Sequence, residues 1–214
     1  MPFGFLKRRH HDEVPGAASG KPGAAASSAA PRAIIRGVAF TALTEDWRLH
    51  GRMQIAGRLW DALNHREAIS IAEVTWGATD AATLDPAPGL KSVDPYDLIL
   101  VTSGEDSMPP LSETERAALK VHKVPYDVVL EVPPFRVFGT VFLHSGSEPE
   151  GLLARSTEMF LPVVDAVARL GDVEVNDPDV DVILVNRYYL RGVAQVDKHA
   201  KPRDVPPSGD AAGG

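Results

Sequence analysis

The sequence predicts a mainly β protein (α+β), built as two tandem, related small β modules with strongly bent antiparallel sheets and short helices, flanked by disordered tails. Three observations lead there. Alternating apolar runs are bounded by turn residues, similar pieces recur in the same order, and both chain ends lack large apolar side chains.

The ends come first. Residues 1–32 pass from "MPFGFLKRRHH" into a Gly/Ala/Ser/Pro tract, and 198–214 ("KHAKPRDVPPSGDAAGG") have a similar composition. Such segments bury too little surface to offset chain entropy, so both are expected to be disordered. The 214 residues then divide into a first β module at 33–103, a linker with a short helix at 104–123 and a second β module at 124–197.

In the first module "AIIRGVAFTAL" (33–43) is strand-like, "TED" (44–46) offers a turn, and "WRLHGRMQI" (47–55) alternates. That is a hairpin signal. In the second, "VPYDVVLEV" (124–132), "PP" (133–134) and "FRVFGTVFL" (135–143) repeat it. Gly51 and Gly139 fall inside the second strand of each hairpin, where a glycine marks a bulge, a bend or a close backbone approach. Short helices are expected at 58–68, with Leu59 and Leu63 four apart, and at 149–159. Strands follow at 69–76 and 161–170, which sets Glu73 against Asp165. "YDLILV" (96–101) then matches "VDVILV" (180–185), each an acid leading into four apolar residues. These two runs are expected to be central buried strands. The second module alone continues as "NRYYLRGVAQV" (186–196), a closing strand that the first has lost. Between the modules, Ser112 and Glu115 form a capping box for a bridging helix that ends near Lys120.

Composition narrows the chemistry. Net charge is −7, and five cations against two acids leave 1–32 at +3 and the remainder at −10. An acidic body is a poor electrostatic partner for nucleic acid. No cysteine occurs, which removes disulfides, thiolate zinc sites and cysteine nucleophiles. The seven histidines match no metal-ligand spacing, and no phosphate-binding glycine loop is present, so neither metal nor cofactor is expected. No apolar run approaches the roughly 20 residues of a membrane span, and the basic cluster follows the apolar residues at the N-terminus, the wrong order for a secretory signal. A cytoplasmic protein is the expectation.

Three groups of residues remain as candidates. Arg187, Tyr189 and Arg191 would share one face of the closing strand, with Tyr188 and Leu190 on the other, a composition suited to an interface or to base stacking. Glu73 and Asp165 could divide acid–base work if they met in one cleft. Phe3, Phe5 and Leu6 beside Lys7, Arg8 and Arg9 could tether the chain weakly to a partner groove or an anionic bilayer.

The segment "FRVFGTVFLHSG…LLARSTEMFLPVVDAVARLG…VDVILVNRYYLRGV" resembles a small bacterial β domain of uncharacterised function, over about residues 126–196. Its pattern is strand-Gly-Thr-strand, a short helix, a "FLPLTDA"-like strand and a "LVNRD-I"-like strand. More distantly, the strand order resembles an Sm-like bent sheet, with a helix inserted after the second strand and without an Sm-type RNA signature. Neither resemblance implies catalytic residues. The leading expectation is a non-enzymatic interaction or regulatory module that binds protein. The alternatives are an Sm-like RNA binder using Arg187, Tyr189 and Arg191, and a small-molecule or enzymatic module using Glu73 and Asp165.

Overall fold

The computed structural model describes residues 36–102, 104, 123–154, 158–177, 179–180 and 182–196. Both tails, the capping-box helix and Asp181 lie outside the described residues. The protein is mainly β, as expected, and among the described residues every strand pairing is antiparallel.

β1 (Arg36–Leu43) and β2 (Trp47–Ile55) form the first hairpin, closed by the Thr44 N–H on the Trp47 carbonyl at 2.8 Å. Along β2, Leu49, Gly51, Met53 and Ile55 are buried and their neighbours face out, the period of two that its sequence dictates. A short helix, α1 (Leu59–Asn64), buries Leu59 and Leu63 on one face. It is shorter than the 58–68 expected, because Arg66 takes a positive φ of 60° and ends it. Next come β3 (Ile69–Ala78), β4 (Asp85–Pro86), β5 (Ser92–Val93), a 3₁₀ turn at Pro95–Asp97, and β6 (Leu100–Thr102).

β7 (Lys123–Val132) and β8 (Phe135–His144) are joined through the cis Pro133–Pro134 bond. Of the helix expected at 149–159, the described residues show a 3₁₀ turn at Pro149–Leu153. β9 (Phe160–Leu170), β10 (Val173–Glu174), β11 (Val182–Asn186), a 3₁₀ turn at Arg187–Tyr189, and β12 (Gly192–Gln195) complete the described elements.

The strands run in the order β12-β7-β8-β9-β11-β6-β1-β2-β3-β4, with β10 on β9 and β5 on β3. The apolar runs 98–101 and 183–185 are buried where β6 meets β11, with Val182 half-buried, Leu100 opposite Val185 and Val101 opposite Leu184. They are not matched in place. β6 follows a 3₁₀ turn, whereas β11 precedes one. Their likeness reflects burial on both faces, which favours continuous apolar runs in any central strand.

Two apolar clusters fill the interior. One gathers Phe40, Met53, Leu59, Leu63, Ile71 and Leu98, the other Leu130, Phe135, Val137, Val163 and Ile183. They interlock: Leu43, Ile99 and Leu100 pack in the second, Met159, Phe160 and Leu184 in the first. Each such side chain stabilises the fold by about 1.5–3 kcal/mol. Polar clamps reinforce the exchange. Asn64 Oδ1 accepts the Met159 and Phe160 N–H groups at 2.6 and 2.9 Å, and the Trp60 indole donates to the Phe160 carbonyl at 2.8 Å.

Both long sheet corners use one device. The β2–β3 register shifts at Gly51, which faces Glu73 and Val74; the β8–β9 register shifts at Gly139, which faces Asp165 and Ala166. Glu73 and Asp165 lead these bulges with φ of 54° and 47°. A Cβ on Gly51 would lie 3.0 Å from the Ala72 carbonyl oxygen, and on Gly139 2.8 Å from that of Val164. Glycine is needed at both places because a neighbouring backbone occupies the space of a side chain.

Candidate functional site

The 3₁₀ turns at Pro95–Asp97 and Arg187–Tyr189 meet beside the β6–β11 seam. Each is built by a cap. Asp94 Oδ1 accepts the Tyr96 N–H at 3.0 Å, and Asn186 Oδ1 accepts the Tyr188 N–H at 3.0 Å. A short polar side chain that bonds its own backbone two residues on competes with strand pairing and turns the chain. This corrects the closing strand expected at 186–196, which is instead β11, a turn and β12. It also corrects the loss assigned to the first module, because "DPYDL" (94–98) makes the same capped turn as "NRYYL" (186–190).

Asn186 does more than cap. It is fully buried, and its Nδ2 donates to the carbonyls of Leu98 and Pro95 at 2.7 and 3.3 Å. The Tyr189 hydroxyl donates to the Tyr96 carbonyl at 3.1 Å. Together these bonds fasten one turn to the other. The rings of Tyr96 and Tyr188 then stand 5.6 Å apart at 45°, and both remain exposed, at 43% and 51%. That separation suits a tilted aromatic pair.

The three residues expected as a binding face separate. Arg187 turns away, its Nη2 donating to the carbonyls of Leu152 and Ala154 at 2.7 and 3.0 Å. Burial pushes its pKa down from the ordinary arginine value, with Glu158 acting the other way. Tyr189 is partly covered, and burial, then Asp97 and Glu45, push its phenol up while Arg191 pulls it down. Arg191 stays exposed, with Nη1 on the Tyr188 carbonyl at 2.9 Å. Tyr188, placed by strand alternation on the face opposite the candidate residues, is the more exposed of the two tyrosines. Tyr96 was missed altogether. The signal for it was the pairing of Asp94-x-Tyr96 with Asn186-x-Tyr188.

The Asp97 carboxyl sits among these groups and is pushed above the usual carboxylate range by burial, with Asp94 adding to the effect. Glu73 and Asp165 are both exposed at their separate bulges, and four strands stand between β3 and β9 in the sheet. Their acidic character fits the left-handed backbone they occupy in the case of Asp165, a residue type enriched there. Among the described residues, no three His, Cys, Asp or Glu side chains group to hold a metal. Among the same residues, no helix is long and apolar enough to cross a membrane. Phe3, Phe5, Leu6, Lys7, Arg8 and Arg9 lie outside the described residues.

Comparison of the chain with protein families, curated proteins and solved structures finds no match.

Proposed function

We propose that the chain is a non-enzymatic, cytoplasmic protein-interaction module made of two tandem related β modules, with the Tyr96–Tyr188 pair as its working face. The tandem reading is supported by the repeated glycine bulge and the repeated capped turn. It is supported again by two backbone bonds in corresponding places, Ile99 N–H to the Leu43 carbonyl and Arg191 N–H to the Glu131 carbonyl, both 2.8 Å. The Sm-like reading draws on the strand order, in which β12 returns to β7 and β6 returns to β1 after a 3₁₀ turn.

One observation carries the functional reading: two exposed tyrosines are held in position by the buried Asn186 bonds and by the Tyr189 hydroxyl on the Tyr96 carbonyl. Rigid aromatic residues ordered before binding lose little entropy on contact, and tyrosine is enriched where proteins meet. Asp94, Asp97 and Arg191 give this face a mixed-charge rim. RNA binding through Arg187, Tyr189 and Arg191 is the weaker reading, since Arg187 is engaged by two carbonyls and the body is acidic. The N-terminal Phe3–Arg9 segment would serve as an accessory tether.

The test is a pull-down from native cytoplasm, with and without ribonuclease, using wild type and a Tyr96→Ala/Tyr188→Ala variant of unchanged melting temperature. A defined partner that survives nuclease and is lost with the tyrosines is the expected result. Co-purifying RNA that is lost with salt or with Arg191→Ala would overturn it.

A further inference from the structure

A second aromatic pair stands where β2 begins and β3 ends. Trp47 and Trp76 stack with ring centroids 4.7 Å apart and planes 20° from parallel, Trp47 exposed at 41% and Trp76 half-buried. Trp47 lies four residues before Gly51 and Trp76 three after Glu73, and the residues so placed about the other bulge are Phe135 and Ala168. Those two are buried in one cluster with Val175, whose N–H donates to the Ala168 carbonyl at 2.9 Å. The residue opposite Trp76 on its neighbouring strand is instead Asp85, which is exposed. Thus one bulge has its strand end closed by an apolar side chain, and the other presents two indoles edged by a carboxylate.

The frame of this platform is acidic. Residues 44–47 and 76–86 carry Glu45, Asp46, Asp80 and Asp85 and no Lys or Arg, and all four acids are exposed. The Thr79 N–H on the Asp46 carbonyl at 3.1 Å holds the two segments together. Arg48, the next residue along β2, is directed elsewhere, its Nη2 on the Val175 carbonyl at 2.7 Å. Indole faces beside carboxylates select a ligand that combines flat apolar rings with positive charge. Proline packs on indole at little entropic loss because its backbone is already fixed, and Lys and Arg are drawn both to the ring face and to the acids.

We infer that the platform takes the chain's own segment 198–207, "KHAKPRDVPP". This stretch combines the cations Lys198, Lys201 and Arg203 with the prolines Pro202, Pro206 and Pro207, so its charge opposes that of the platform. Its point of attachment suits the contact. The Val196 N–H is fixed on the Asp127 carbonyl, and the ten residues from there to Pro206 extend about 33 Å. The Arg48 bond to the Val175 carbonyl sets the platform's strand beside the β9–β10 pair, and β9 lies three strand spacings, about 15 Å, from β12. Tethering at this length gives an effective concentration of about 1 mM, so a segment that binds in trans with a Kd of about 100 μM occupies the platform about nine tenths of the time. The tail thereby withholds the platform from other basic, proline-rich segments. This site needs the two indoles and their acids alone, and it holds whether or not the tyrosine face binds a protein.

The test uses the full chain with its own tail disabled by Lys201→Glu, Arg203→Glu, Pro206→Ala and Pro207→Ala. A fluorescent peptide of residues 198–209 is the probe, read by polarisation. The tail-disabled chain should bind it, and wild type should bind it about tenfold more weakly because its own tail competes. In the tail-disabled chain, Trp47→Ala should weaken binding by at least about tenfold. Asp46→Lys with Asp85→Lys, which keeps both indoles, should weaken it by at least about threefold and flatten its salt dependence. Tyr96→Ala with Tyr188→Ala should leave the peptide's affinity unchanged, so the platform and the tyrosine face fail separately. No binding to the tail-disabled chain, equal binding by wild type, no loss with Trp47→Ala in a chain of unchanged melting temperature, or tighter binding of a peptide of residues 2–13 would each overturn the proposal.

Discussion

Set side by side, the two capped turns share their frame and differ in their fillings. Both have a short polar cap, a tyrosine two residues later and a buried leucine two beyond that, at Asp94, Tyr96 and Leu98 and at Asn186, Tyr188 and Leu190. Between these, Pro95 corresponds to Arg187 and Asp97 to Tyr189. The shared residues are those that the backbone needs in order to turn. The differing ones reach outward to neighbours that are not alike, Arg187 to the 149–153 turn and Tyr189 to the opposite turn. The same split separates the bulges: glycine is kept at both, while the leading residue varies between Glu73 and Asp165. Backbone geometry restricts residue choice more tightly than packing does, so two turns of the same shape agree at the residues the backbone needs.

The largest effect should come from filling the bulge glycines, and it should be unequal. At Gly139 a Cβ would approach Val163 Cγ1 to 2.7 Å, the Val164 carbonyl oxygen to 2.8 Å and Ala166 Cα to 3.1 Å. At Gly51 the contacts are 3.0 Å to the Ala72 carbonyl oxygen and 3.3 Å to Val74 Cα and Cγ2. Contacts that force backbone to shift cost about 1–3 kcal/mol or more. Gly139→Ala should therefore lose about 3 kcal/mol in urea unfolding, and Gly51→Ala about 1 kcal/mol. Equal losses would mean that the two corners relax alike, and the close approach at Gly139 would no longer distinguish them.

The next effect separates a buried cap from an exposed one. Asn186→Ala leaves the buried Leu98 and Pro95 carbonyls without their donor and frees the part-buried Tyr188 N–H. Leaving buried polar groups unpaired costs about 2–3 kcal/mol. Asp94→Ala loses one exposed cap bond, worth about 0.5–1 kcal/mol. Thermal melts of both variants measure the difference. A loss as large at Asp94 as at Asn186 would show that the cap itself, rather than the buried bonds between the turns, sets the stability of this face.

The sequence was most informative where a single local rule decided the structure. The alternation in 47–55 translates directly into the burial of Leu49, Met53 and Ile55, and the polar turn at 44–46 closes the hairpin as its residues imply. It was less so where two local rules competed. The stretch 186–196 alternates like a strand, yet the Asn186 side chain captures the Tyr188 N–H and bends the chain, which exchanges the roles of Tyr188 and Tyr189. Likewise the helix expected around Leu152 and Leu153 is, among the described residues, a 3₁₀ turn at Pro149–Leu153 that places Leu152 in the core and leaves Leu153 exposed. The similarity of 96–101 and 180–185 was real, and its cause was shared burial at the seam rather than matching position. The tyrosine pair could not be read from either segment alone, because it exists only once two turns distant in sequence are brought together.

The smallest effect is one of pH, and it again distinguishes the two turns, since only the first carries an acid at its third position. A carboxyl raised by burial and by Asp94, as Asp97 is, holds its proton more tightly in the folded state than in the unfolded chain. Between the two pKa values the folded state binds more protons, so Asp97 makes stability fall as pH rises from the ordinary carboxylate value through the raised one, and the loss persists above it. Asp97→Asn removes this contribution. Its melting temperature relative to wild type should therefore be higher at pH 7 than at pH 4, by about 2 °C or less because Asp97 is largely exposed and screened. A relative gain that is larger at pH 4 would reverse the sign and show that the ionised carboxylate is favoured by a donor at the turn, with Arg191, the nearby cation that lowers the Tyr189 pKa, as the first side chain to test by substitution.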